Sequence, residues 1–284
     1  MTVRQWAEQH RVRLAWTGVA CLVAYFLIPV LILVFMLDQW VLRPSNSEAT
    51  HEQWRHVVAT NAGRGVALRR YSNGLDGKCV IFFPGQHGGM ARYERDLLPL
   101  IRVDGVALYT ISYPGQDGAP GQGSLNHLSE DVEHTLRFLA DGGLCTMGQS
   151  LFVGRSLGAS IAVLEALKFR TKGVLVEGVS PNLATAIRAW MRRHIATWAW
   201  QSLSIQALVP MTGELEPAVS RWQGPPMIVF QGTDDKVAPF DAAKALMFNR
   251  PGVRFEAVPG GNHEDTFLIA GPAYRAALLD LSDR

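Results

Sequence analysis

The sequence predicts an α/β protein with a mostly parallel eight-stranded sheet, helices on both faces, a helical cap and one preceding transmembrane helix. Two observations carry this. Short, fully apolar runs alternate with helix-period segments, which implies strands covered on both faces. One N-terminal run is too long and too apolar for an ordinary surface helix.

That run spans residues 14–37, 24 positions without Asp, Glu, Lys or Arg. At 1.5 Å per residue such a helix reaches across a hydrocarbon layer of about 30 Å. Pro29 lies near its middle, which transmembrane helices tolerate, and Trp16 near one end and Trp40 beyond the other fit interfacial anchoring. A cleaved signal peptide has a shorter apolar stretch and a small-residue cleavage site, and Asp38-Gln39-Trp40-Val41-Leu42 offers none. Arg4, Arg11 and Arg13 precede the run, while Arg43 and Arg55 follow it. The nearer charges are N-terminal, so the N-terminus is expected in the cytoplasm and the rest outside it. The expected organisation is a segment 1–13, an anchor 14–37, a linker 38–52 that is polar at 44–48, and a folded domain 53–284.

Within that domain the runs 54–59 and 66–71 read as strands joined by a Gly-containing turn. Further strands are expected at 79–83, 106–111, 151–154, 174–177, 227–231 and 253–258. Helices are expected at 93–101, 128–139, 157–169, 242–248 and 266–281. In the second of these, Leu128, Val132, Leu136 and Leu139 share one face. About 45 residues, 180–224, separate two strands where a few usually suffice. This insert carries Trp190, Trp198, Trp200 and Trp222, with Arg188, Arg192, Arg193 and His194. It reads as a cap over the carboxyl ends of the strands, its tryptophans serving packing or substrate contact.

The segment 150–158, Ser-Leu-Phe-Val-Gly-Arg-Ser-Leu-Gly, holds the clearest chemistry. A strand enters Gly154-x-Ser156-x-Gly158 and a helix leaves it. Glycines allow the sharp turn, which lifts Ser156 above the sheet at a helix N-terminus. A serine hydroxyl needs a base, and the base an orienting acid. Downstream, Gly232-Thr233-Asp234-Asp235 follows a strand and offers two carboxylates, and Gly260-Gly261-Asn262-His263 follows the last strand. The order Ser, Asp, His is the one this topology uses. The amides of Leu157 and of Gln86, in the Gly-rich segment Pro84-Gly85-Gln86-His87-Gly88-Gly89, are the expected oxyanion donors. His87 is given no chemistry, and the remaining histidines read as surface residues. A plain strand–helix turn with a capping serine is the bland alternative.

These segments resemble the α/β-hydrolase superfamily. Those that carry the likeness are Phe83-Pro84-Gly85-Gln86, the Gly-Arg-Ser-Leu-Gly turn, Gln231 to Pro239 and Gly260 to His263. It covers residue 53 to the C-terminus. The nearest likeness is to a membrane-anchored branch of lysophospholipid, monoacylglycerol and protein-depalmitoylating hydrolases. The acid motif of that family, His-Gly-x-x-Asp-x-x-Val-Pro, puts the acid at Asp235. Gln231 and Pro84 stand where the family has His, and the first change is expected not to affect the triad. The Trp-rich cap is the main departure. Family topology also makes the strands beginning near Cys79 and Ser150 neighbours, so a Cys79–Cys145 bridge is open to an extracytoplasmic domain, with two buried free thiols the preferred alternative. Cys21 reads as a small apolar residue.

The resemblance implies an ester or thioester hydrolase acting on a lipid-like or acylated small molecule. A peptidase or amidase, and a catalytically silent membrane-tethered binding protein, are the rivals. The triad chemistry requires no cofactor or metal, and no His pair has metal-ligand spacing. A formal net charge of +2 without basic runs gives nucleic-acid binding no support.

Overall fold

The computed structural model describes residues 3–45, 51–74, 77–86, 89–209 and 214–284; the side chains of residues 3–9 and of Trp198 are also left undescribed. The linker residues 46–50, His87 and Gly88 of the Gly-rich segment, and residues 210–213 of the insert fall outside this set.

A helix α1 (Val3–Phe35) leads into a short helix α2 (Leu37–Val41). Eight strands follow: β1 (Trp54–Ala59), β2 (Gly65–Ser72), β3 (Cys79–Phe83), β4 (Ala107–Ser112), β5 (Leu151–Arg155), β6 (Gly173–Glu177), β7 (Met227–Gly232) and β8 (Val253–Val258). They form one sheet in the order β1-β2-β4-β3-β5-β6-β7-β8. β1–β2 and β2–β4 are antiparallel, and all later pairs are parallel. Strands β3 to β7 are buried at every position, whereas the edge strands β1 and β8 are partly exposed. This is why the central strands read as unbroken apolar runs.

Helices cover both faces. Between β3 and β4 lie α3 (Met90–Asp96) and α4 (Leu98–Ile101); then come α5 (Leu128–Asp141) and α6 (Leu157–Phe169). The cap holds α7 (Leu183–Arg192), a 3₁₀ segment (Ile195–Ser202), α8 (Ile205–Leu208) and α9 (Glu216–Val219). After β7 and β8 come α10 (Phe240–Met247) and α11 (Thr266–Asp283). Side chains alternate along β3: Val80 and Phe82 pack with α3, α4 and α11, while Ile81 and Phe83 pack with α5 and α6. The single helix expected at 93–101 is two, because Pro99 has no N–H to continue the ladder.

Two expectations are corrected. Residues 38–52 were expected to link the anchor to the domain, yet Val41 and Leu42 are buried in the main core together with Leu33 and Leu37 of the apolar run. Asp38 fixes the segment by accepting a 2.9 Å hydrogen bond from the Leu125 amide, and Trp40 meets Trp190 of α7 edge-on at 5.2 Å. Apolar side chains at a helix-like spacing find a covering surface here, so the chain stays ordered beyond the apolar run.

The second correction concerns the thiols. Cys79 and Cys145 form a disulfide, with Cα atoms 5.7 Å apart. The residues stand at the amino ends of β3 and just before β5, which pair directly. The bond closes a loop of 66 residues in sequence separation, so it restricts the unfolded chain and is worth about 2–4 kcal/mol. Full reduction is therefore expected to lower the urea midpoint measurably; an unchanged midpoint with both thiols shown free would contradict this.

Candidate active site

Ser156 sits between β5 and α6 in a backbone conformation that ordinary residues avoid, φ 54° and ψ −119°. Its amide donates to the Glu177 carbonyl at the end of β6, 3.0 Å away. The turn admits this only because two neighbours lack side chains. A Cβ on Gly154 would lie 2.5 Å from the Gly158 carbonyl oxygen, and one on Gly158 would lie 2.1 Å from that of Phe83. β5, α6 and the loop after β3 thus pack backbone to backbone, holding the serine up at the carboxyl edge of the sheet.

The loop after β8 brings His263 to it. Nε2 of His263 lies 3.0 Å from the Ser156 hydroxyl, and Nδ1 lies 2.8 Å from Oδ2 of Asp235. Of the two carboxylates after β7, Asp235 is buried and faces the imidazole; Asp234 is exposed beside the Thr233 hydroxyl. The other oxygen of Asp235 accepts from the amides of Val237 and Ala238, each at 2.8 Å. A carboxylate oxygen held by two amides fixes the group in position for its remaining partner.

Gln231, which stands in place of the family's His and was expected not to affect the triad, touches these residues. Its Nε2 donates to the Ala238 carbonyl at 2.7 Å and approaches Oδ2 of Asp235 at 3.4 Å, while its Oε1 accepts from the Val179 amide at 2.9 Å. It ties the acid loop to the end of β6.

Gln86 and Leu157 both line the cleft with Ser156 and His263. Leu157 opens α6, so its amide belongs to the first turn, where N–H groups have no partner within the helix. The loop bearing Gln86 is held by buried groups: Gln116 Nε2 donates to the Gln86 carbonyl at 3.0 Å, and the Tyr113 hydroxyl to that of Pro84 at 3.0 Å. Burial raises the Tyr113 pKa well above the ordinary phenol value, so it remains a neutral donor.

Arg155 is the residue the sequence left unnoticed, standing at the variable position before the serine. It is buried and paired with Glu177, Nε to Oε1 3.0 Å. One guanidinium nitrogen donates to the backbone carbonyl of His263 and another to the Tyr93 hydroxyl at 3.4 Å. That hydroxyl in turn accepts from the Gly85 amide at 3.3 Å. Arg155 therefore links the serine turn, the histidine loop and the Gly85–Gln86 loop. Burial opposes its charge, but Glu177, Tyr93 and Glu264 together outweigh this and raise its pKa. Burial pushes the Glu177 carboxyl up to about 7, against the pull of Arg155 and His263.

The cleft measures about 490 Å³ including its open mouth. Beyond the polar groups its walls are Leu157, Leu183 and Ala186, Val237 and Ala238, and Val41 from α2. Among the described residues, no three His, Cys, Asp or Glu side chains converge where a metal ion could be held.

No protein-family model matches the chain. Solved structures do. An esterase from Pyrococcus furiosus superposes with a TM-score of 0.65 at 12% identity, covering 85% of this chain and 98% of that one. The chain has the α/β-hydrolase fold. An α/β hydrolase from Novosphingobium aromaticivorans gives 0.59 at 16% identity, covering 83% and 99%. A putative hydrolase from Agrobacterium vitis gives 0.58 at 19%, covering 82% and 99%. In an α/β-hydrolase fold, the carboxyl edge that carries Ser156, Asp235 and His263 is the place where ligands bind.

Proposed function

We propose that the chain is a membrane-tethered serine hydrolase that cleaves an ester or thioester of a lipid-like or acylated small molecule. The observation that carries this is the continuous hydrogen-bonded line from Ser156 through His263 to Asp235, at 3.0 and 2.8 Å. The Pyrococcus furiosus neighbour, an esterase, supports ester chemistry.

In the reaction, the Ser156 oxygen attacks the acyl carbonyl while its proton passes to Nε2 of His263. Asp235 holds the Nδ1–H tautomer and stabilises the imidazolium. The amides of Gln86 and Leu157 meet the negative oxygen of the tetrahedral intermediate. The imidazolium then protonates the departing alcohol or thiol, leaving an acyl-serine. Water, deprotonated by His263, attacks this ester, and the acid departs as Ser156 recovers its proton.

Apolar α1 supports the tether: His10–Phe35 is long and apolar enough to cross a membrane. Its basic N-terminal flank favours a cytoplasmic N-terminus, and the disulfide suits an oxidising compartment for the domain. The apolar cleft walls suit an acyl or alkyl group.

A fluorophosphonate probe tests the serine. Strong labelling of the wild type, absent in Ser156→Ala, is the expected result; a folded wild type that resists the probe counts against an activated serine. The cleft wall gives a second test. Val41→Phe narrows it, so the ratio of kcat/KM for an octanoyl over an acetyl ester is expected to fall about tenfold or more. An unchanged ratio places the acyl chain elsewhere.

A further inference from the structure

The apolar helix and the cap meet at a depth that constrains where the cap can lie. Residues 10–23 of α1 are exposed on every side. From Ala24 onward one face is covered: Ala24, Tyr25 and Phe26 are half-buried, and Pro29 and Leu33 are buried. The covering surface near Tyr25 is the 3₁₀ segment of the cap. The Tyr25 hydroxyl donates to the Ala196 carbonyl at 2.6 Å, and its ring lies 5.6 Å from that of Trp200.

The free apolar part of the helix is too short to span a bilayer. The charge-free run begins at Leu14, after Arg11 and Arg13, so only residues 14–23 of it stand free; they rise about 15 Å, and the hydrocarbon layer is about 30 Å thick. A spanning α1 must therefore use part of the stretch that the cap covers. Tyr25 stands ten residues before Phe35, about 15 Å along the axis, so a cap that touches Tyr25 cannot stand clear of the membrane surface.

The chemistry of the cap tip agrees with that placement. Ile195 is 96% exposed and belongs to no packed core. Arg192, Arg193 and His194 are exposed immediately before it. An apolar side chain beside guanidinium groups matches the boundary between acyl chains and phosphates. Two carbonyls at the tip are partnered without water: that of Ala196 by the Tyr25 hydroxyl, and that of Met191 by the Thr197 hydroxyl at 2.8 Å.

We propose that the cap tip, residues 192–196, is a second membrane-contacting surface that inserts Ile195 among the acyl chains of the same bilayer that α1 crosses, with Arg192 and Arg193 at the lipid phosphates. This rests on the reading of α1 as a membrane anchor. It makes the cap a fixed interfacial element and places the cleft, whose walls include Leu183 and Ala186 of α7, at the lipid boundary.

The test uses the full chain in phosphatidylcholine–phosphatidylglycerol nanodiscs. In a Cys21→Ala background, Ile195→Cys carries a nitrobenzoxadiazole fluorophore. Leu22→Cys, on the free part of α1, is the lipid reference; Asp104→Cys, in the turn before β4 at the opposite end of the sheet, is the aqueous reference. Spin labels on the acyl chains are expected to quench position 195 as they quench position 22, with aqueous iodide effective only at 104. The proposal is overturned if position 195 follows 104 while 22 is in lipid, which leaves the anchor standing. It is equally overturned if 195 resists both quenchers, as a protein partner or second copy over the tip would produce. If 22 itself is open to iodide, the anchor reading falls and takes the proposal with it.

Discussion

An Asp235→Asn variant is expected to lose about 10⁴-fold in kcat while keeping its fold. The size follows from how the carboxylate is held. One oxygen accepts from the Val237 and Ala238 amides, so the carbonyl oxygen of an asparagine would take that place. Its NH₂ would then face Nδ1 of His263 and turn that nitrogen into an acceptor. The ring proton moves to Nε2, where it points at Ser156, and the imidazole can no longer receive the serine proton. Asp234→Asn is expected to leave kcat/KM unchanged, since Asp234 is exposed and does not meet the imidazole. Equal losses in the two variants would remove Asp235 from its proposed place.

An Arg155→Met variant is expected to lose about 3–5 kcal/mol of stability in urea unfolding, because it leaves Glu177 buried without its partner. The loss should depend on pH. Burial raises the Glu177 carboxyl from 4.5 to about 7 even with Arg155 present. A carboxyl whose folded pKa is raised contributes stability that is complete below about 4.5 and is lost as pH rises through the folded value. Without Arg155 the folded value rises further, so the loss continues to higher pH. The variant should therefore be impaired more at pH 8 than at pH 5; a deficit independent of pH would mean that Glu177 stays charged throughout. Since Arg155 also holds the His263 carbonyl, kcat is expected to fall in protein that remains folded.

What the sequence made legible was local. Buried strands such as β3 and β5 are apolar at each position, and Gly154 and Gly158 flank Ser156 within five residues, so pattern alone locates them. Beyond Ser156, Asp235 and His263, whose association the family resemblance supplied, the pairs that join distant segments were not legible. Arg155 reaches His263 across 108 positions, and nothing in Gly-Arg-Ser announces a partner there. Gln116 and Gln231 are ordinary amides until the loops they pin are brought beside them. The disulfide depends on strand adjacency, which no spacing of three cysteines encodes. The segment 38–42 is too short for periodicity to separate a packed helix from a polar connection.

That segment alters what a shortened protein would be. Leu33, Leu37, Val41 and Leu42 fill space in the core of the domain, and Val41 faces the cleft. A chain begun after Leu42 would have an open notch beside the serine, lined by side chains that now touch no water. Substrate preferences measured on such a piece would describe the notch, and its solubility would suffer from the apolar wall left bare. The end of α1 and the segment that follows it are part of the packed body, and a cut made there would not remove a mere leash.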